Sequence, residues 1–219
     1  CFSPHLLRPQ WAGVISLALA HLPGAQATTL VERLLKANKR DKDQQRPLFL
    51  AAAVLAEGAE VADAPHRQIV DALLNLAQTR DRWEWREKAS AEDAISTLGR
   101  LVGDGYAAAG LLALALDRKL EARVRVGAAA GLGRLGRLDE AAEILLALVR
   151  DRVVNAWLQE LTVEVLKELR RADNLLTLAR DPELLVGVRV RAVVALGEIR
   201  QANDLLALAR DRVVDALVR

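Results

Sequence analysis

One short stretch recurs along this chain and limits what it can fold into. Leu145-Leu146-Ala147-Leu148-Val149-Arg150-Asp151-Arg152 returns in kind from Leu175 to Asp181 and from Leu205 to Arg212, 30 residues later each time. A further copy, Leu111 to Arg118, lies 34 residues upstream, and a looser one runs from Leu73 to Asp81. Aspartates at 81, 117, 151, 181 and 211 thus close five copies of one short helix. After each comes a longer helical pattern, ending in Leu98-Gly99-Arg100-Leu101, Leu132-Gly133-Arg134-Leu135, Leu166-Lys167-Glu168-Leu169 and Leu196-Gly197-Glu198-Ile199. Counted from the Gly or Lys167 position, apolar or small residues stand at minus 9, minus 5, minus 4, minus 1 and plus 2; in the last of these copies they are Val188, Ala192, Val193, Leu196 and Ile199. That is a stripe at helical spacing, and strand-like alternation fits none of it. A single pair of such helices cannot hide its apolar faces, whereas stacked pairs can. The repeat therefore predicts an all-α chain of helix, turn, helix, turn units stacked as a right-handed α-solenoid.

Composition agrees: Leu (41 residues) and Ala (39) dominate the 219, with seven aromatics and five Ile. Ala and Leu are strong helix formers, and strand-rich domains draw on the residue types that are scarce here. Small residues such as Ala128, Ala129, Ala192 and Ala195 allow helices to approach closely, and each buried Leu or Val contributes roughly 1.5–3 kcal/mol. In Asp181-Pro182-Glu183 the sequence offers an N-cap, a Pro for the first helical position and an acid for the first turn. Asp139 and Asp204 are expected to cap short helices in the same way.

Upstream of residue 70 the alphabet continues with looser spacing. Helices are expected near 11–22, 28–38, 47–59 and 66–79, with a mixed-charge loop over 39–46. Two regions follow: an N-terminal helical segment, 1–70, with loosely repeat-like helices, and repeats over 71–219. Asp211 to Ala216 copies Asp151 to Ala156 with one change, and the last repeat is cut at Arg219 inside its second helix. The sequence contains no Met. Both features lead to the expectation that the chain is a piece of a larger protein whose array continues.

Asp-Pro-Glu, then Val188-Arg189-Val190-Arg191-Ala192-Val193-Val194-Ala195-Leu196-Gly197, then Leu-Leu-x-Leu-Ala-Arg-Asp resembles the short HEAT repeat of bacterial HEAT-like proteins. The match is good over 105–219 and weaker over 70–104. The run Arg8-Pro9-Gln10-Trp11 to Ala20, and Pro47-Leu48-Phe49-Leu50-Ala51-Ala52-Ala53-Val54-Leu55-Ala56-Glu57, are similar to the helices that follow the nucleotide-binding core in bacterial NACHT-type NTPases of the STAND class. That resemblance implies signal transduction by a nucleotide-driven switch, in which the repeat region senses a ligand and holds the NTPase inactive. It also implies intramolecular contact with an NTPase domain upstream, where any ATP or GTP would bind. The chain itself contains no GxxxxGK[ST] and is expected to be non-enzymatic and free of cofactors. The alternatives are a stand-alone accessory subunit of a modification enzyme, such as the HEAT-like subunits of chromophore lyases, and a nucleic-acid-binding HEAT domain.

Gly131-Leu132-Gly133-Arg134-Leu135-Gly136 spells the dinucleotide-binding fingerprint, but that chemistry needs a strand before the first Gly and a helix opening after it. Here the glycines end a helix, so they are assigned to helix-end packing and capping. One Cys cannot form an intrachain disulfide, and with three scattered His it gives no metal-site spacing. His5, His21 and His66 have no acid or nucleophile nearby in sequence, so no catalytic residue is assigned. The apolar runs fall short of the roughly 20 residues that span a bilayer. A cytoplasmic setting without membrane contact is expected. With 31 basic and 29 acidic residues, the net charge of +2 exerts little pull on polyanions.

Arg125, Arg189 and Arg219 stand eight residues after Asp117, Asp181 and Asp211, and Gln159 holds that place after Asp151. These eight residues are expected to form a structural ladder, each Arg bonding an inter-helix Asp or a neighbour's carbonyl, rather than a basic groove for nucleic acid, because an Asp repeats with every Arg. Trp83 and Trp85 flank the start of a long helix, and Trp157 lies off the apolar stripe. If the second helices line a concave surface, Arg123, Arg134, Trp157, Glu168, Arg191 and Glu198 face it, and these are the candidates for contact with a protein or peptide ligand.

Overall fold

The structure, a computed structural model, describes residues 22–39, 45–79, 85–151 and 154–199. These residues are all-helical, with ten helices: α1 (Gly24–Asn38), α2 (Arg46–Ala56), α3 (Asp63–Gln78), α4 (Trp85–Leu98), α5 (Gly105–Leu116), α6 (Ala122–Arg134), α7 (Leu138–Arg150), α8 (Ala156–Glu168), α9 (Ala172–Arg180) and α10 (Val186–Glu198). Among them no strand occurs, and no helix is long and apolar enough to cross a membrane. The helix expected near 11–22, Trp83, and the last copy with Asp204, Asp211 and Arg219 lie outside the described residues. The chain divides into two compact units, 1–113 and 114–219. This boundary falls inside α5, away from the change in repeat spacing at residue 70.

In the first unit α1 packs on α2 and α3, α2 on α3 and α4, and α3 on α4. Their core is Val31, Leu48, Val54, Ile69, Val70, Leu73, Ala94 and Leu98, all fully buried. Asp104 caps α5, its Oδ1 accepting the amides of Tyr106 at 2.9 Å and Ala107 at 3.1 Å. In the second unit α6 packs on α7 and α8, α7 on α8 and α9, α8 on α9 and α10, and α9 on α10. Helices α6, α8 and α10 therefore follow one another, with α7 and α9 against them; α7 has 13 residues, as many as each of those three, so only α9, with 9, is short as the repeat predicts. Leu132, Leu166 and Leu196, the minus 1 residues of α6, α8 and α10, are fully buried, as are Leu145 of α7 and Leu175 and Leu178 of α9.

The ends of the long helices explain the glycines. Gly133 lies in the last turn of α6, where a Cβ would sit 2.5 and 2.7 Å from the two methyls of Leu169, just after α8. Beyond it, Gly136 has φ +88°, and the amide of Arg137 reaches back to the carbonyl of Leu132 at 3.1 Å. This is a Schellman ending. α8 ends identically, the Arg171 amide bonding the Leu166 carbonyl at 3.0 Å, but the left-handed position is held by Arg170 at φ 54°.

Asp181 does not cap the long helix as its sequence context suggests. α10 begins at Val186, four residues beyond Pro182, and Asp181 instead caps a turn by accepting the amide of Glu183 at 3.1 Å. Asp139 likewise lies inside the first turn of α7, whose N-cap is Arg137. The N-cap of α8 is Asn155, whose Oδ1 accepts the Leu158 amide at 2.9 Å.

Two substitutions test these ends by thermal unfolding. Arg170→Gly should stabilise by about 1 kcal/mol, since a non-glycine residue in the left-handed region is strained by roughly 1–2 kcal/mol and the extra freedom of unfolded Gly offsets part of that. Gly133→Ala should destabilise by about 1 kcal/mol, the overpacking of Leu169 exceeding the gain in helix propensity. In a Leu169→Ala background the same Gly133→Ala change should stabilise.

Candidate partner-binding surface

Counting from the Gly133, Lys167 and Gly197 position aligns the long helices of the second unit. The minus 10 row is Arg123, Trp157 and Gly187, and the plus 1 row is Arg134, Glu168 and Glu198. Trp157, in the first turn of α8, is 58% exposed, and the guanidinium of Arg123 on α6 stands over its ring, 5.7 Å from the centroid. Such a cation–π pair holds the indole in place without burying it, and contributes roughly 0.5–1 kcal/mol at an exposed site. Arg134 and Glu168 are exposed at the ends of α6 and α8.

Arg191 and Glu198 are exposed on α10, and both are paired with α8. Arg191 Nε meets Glu164 Oε1 at 2.6 Å, Lys167 Nζ meets Glu198 Oε2 at 2.7 Å, and Lys167 also pairs with Glu164. Arg191, Glu164, Lys167 and Glu198 thus form a chain of alternating charge. Partial burial pushes the Glu164 carboxyl upward, but the hydrogen bond and charge of Lys167, together with Arg191, outweigh it and hold the group below its ordinary range. Lys167 is held above its ordinary range by the hydrogen bonds to Glu164 and Glu198.

The minus 8 row runs beneath this surface. Arg125 Nε donates to the Ala115 carbonyl at 3.2 Å, and Gln159 Nε2 donates to the Val149 carbonyl at 2.9 Å. In both cases the acceptor is the carbonyl ten residues earlier, in the last turn of the preceding helix. Arg189 holds the equivalent place in α10, with its Nε buried and without a hydrogen-bond partner among the described residues. The aspartates of the row do other work. Asp117 accepts the Lys119 amide at 2.9 Å, and Asp181 takes Arg150 Nε at 3.1 Å from the repeat before. Asp151 lies at the C-cap of α7.

A second cluster, of residues far apart in the sequence, lies in the first unit. His66 Nε2 lies 2.7 Å from Asp104 Oδ2, although the two are 38 residues apart. Tyr106 donates its hydroxyl to Asp71 Oδ1 at 2.7 Å, with Arg67 over its ring at 5.7 Å. The bond to Asp71 holds the Tyr106 phenol above its ordinary range. His66 thus has an acid partner, Asp104, at the start of α5. Among the described residues no group of three or more His, Cys, Asp or Glu is placed to hold a metal ion. The GxGxxG hexapeptide closes α6 rather than opening a helix after a strand, so its amides form no phosphate cradle.

Comparison of the chain with known protein families, with curated proteins and with solved structures finds no match in any of the three.

The charge chain has a pH signature. Because Glu164 titrates below its ordinary value when folded, its contribution is complete above the usual glutamate range and is lost as pH falls through the depressed value. Lys167 contributes below the usual lysine range, and that part is lost as pH rises through its raised value. Glu164→Gln should lower stability near neutrality by about 0.5–1 kcal/mol. The gap to the parent chain should close when unfolding is measured at progressively lower pH below about 4.

Proposed function

We propose that this chain is a non-catalytic HEAT-like α-solenoid that recognises a protein or peptide ligand along its long helices. Its most suitable setting is the sensor and regulatory region of a bacterial NACHT- or STAND-like signalling NTPase. The 30-residue repeat and the contacts of α6 with α8 and of α8 with α10 support the stacked arrangement. The observation that carries the recognition reading is Trp157, a large apolar side chain held by Arg123 at 58% exposure on the helix whose Glu164 and Lys167 are already paired. An exposed, oriented Trp is a hot-spot residue type, because it brings much apolar area with little ordering cost. Pairing also disfavours nucleic acid: Lys167 and Arg191 are engaged by carboxylates, whereas affinity for a polyanion requires uncompensated cations.

In the proposed setting, the surface around Trp157 also contacts the NTPase domain and keeps its turnover low. The reading frame upstream of Cys1 should then encode a P-loop. In that parent protein Trp157→Ala should raise basal nucleotide hydrolysis by about 10–30-fold, the equivalent of a lost hot spot. An unchanged rate removes Trp157 from the inhibitory contact, and a frame without a P-loop removes the NTPase setting. Titration with duplex DNA at low salt should give no measurable binding; salt-sensitive binding would favour the nucleic-acid alternative.

A further inference from the structure

Beside Trp157 the minus 10 row loses its side chain, because the residue at that place on α10 is Gly187. A carboxylate takes up the space. Glu160, nearly one turn after Trp157 on the same side of α8, lays its Oε1 3.4 Å from the point where a Cβ on Gly187 would sit. It is half-buried, and among the described residues no hydrogen bond or ion pair engages it. Neither of its oxygens is sealed from solvent. We infer that Trp157 and Glu160 together receive a basic side chain, Lys or Arg, of the protein or peptide ligand. The inference rests on the recognition reading of Trp157 and adds the chemistry of the group recognised.

The face of an indole is the negative part of its quadrupole, and Arg123 already uses that property on one side of the ring. With a guanidinium over one face, an exposure of 58% leaves the rest of the ring open to a second group. The other charges nearby are committed. Glu164, Lys167, Arg191 and Glu198 pair among themselves and sum to zero, and Arg123 is held over the indole. Glu160 is therefore the carboxylate that a partner's charge completes, and its attraction offsets the repulsion from Arg123 across the ring. The stem of a Lys or Arg is apolar, so it can lie along the indole while its head reaches the carboxylate. Residues flanking the basic one meet Val190 and Val194, both exposed on α10, three and seven residues beyond Gly187. An acidic side chain would face Glu160 with like charge, and a neutral one would gain neither the ring nor the carboxylate. The matching segment is a basic residue between aliphatic ones.

The test is titration of the isotope-labelled chain with the capped pentapeptide Ala-Leu-Lys-Leu-Ala and with analogues in which Arg, Gln or Glu replaces the Lys. NMR follows the Trp157 indole N–H and the amides of Glu160 and Gly187. The Lys and Arg peptides should shift these signals saturably, with the Gln peptide at least about tenfold weaker and the Glu peptide weaker still. Glu160→Gln should bring the Lys peptide to within about twofold of the Gln peptide, whereas Trp157→Ala should weaken all four. Because Glu160 bonds to no described group, its replacement should leave the fold intact, and the remaining amide signals report whether it does. If the Gln or Glu peptide binds as tightly as the Lys peptide, or if Glu160→Gln keeps the preference for Lys, the inference is overturned while recognition at Trp157 stands. It is overturned as well if no peptide moves these signals, and recognition at Trp157 then rests on the hydrolysis measurement alone.

Discussion

Leucine burial between successive helices is the constraint on which the second unit depends. Leu132, Leu166 and Leu196 are fully enclosed, and so are Leu145, Leu175 and Leu178 of the helices packed against them. Each such side chain contributes roughly 1.5–3 kcal/mol, several times what any surface pair in the chain supplies. Position, caps and surface chemistry all follow from holding that register. Gly133 is small because Leu169 must come within contact of it, and where Lys167 replaces glycine at the same place its side chain turns outward to Glu198 instead. One position thus switches between close apolar approach and an ion pair.

The polar elements are arranged around this core so that few groups lose their partners. Gln159 and Thr162 are the buried polar side chains among the described residues, and each bonds a backbone carbonyl, of Val149 and Leu158 respectively. Those two bonds use donors that burial would otherwise penalise by about 1–3 kcal/mol each. The surface pairs Arg150–Asp181, Arg171–Asp139 and Lys167–Glu198 link residues 31, 32 and 31 apart, so they tie neighbouring repeats rather than residues within one helix. Individually each is weak, and their value lies in fixing which carboxylate faces which cation.

Much of the helical order was legible in the sequence, because the 30-residue period and the apolar stripe carry it directly. The ends were less so. Asp181-Pro182-Glu183 has the composition of a helix start, yet the chain needs a turn there before α10, and the same aspartate serves the turn and Arg150. The minus 8 row was visible as a position, but spacing alone could not say that Arg125 and Gln159 would each reach the carbonyl ten residues earlier. Trp157 stood out only as a residue off the stripe; its exposure and the guanidinium over its ring depend on the neighbouring long helix. His66 and Asp104 lie in different helices, and nothing in their local sequence pairs them.

Asp104 commits one carboxylate oxygen to the first turn of α5 and the other to His66 on α3. Its side chain is only 9% exposed, so water replaces neither bond easily. Fraying of the first turn of α5 that displaces Asp104 therefore also costs α3 its bond through His66. The two helix starts are thereby coupled, and local opening at one weakens the other.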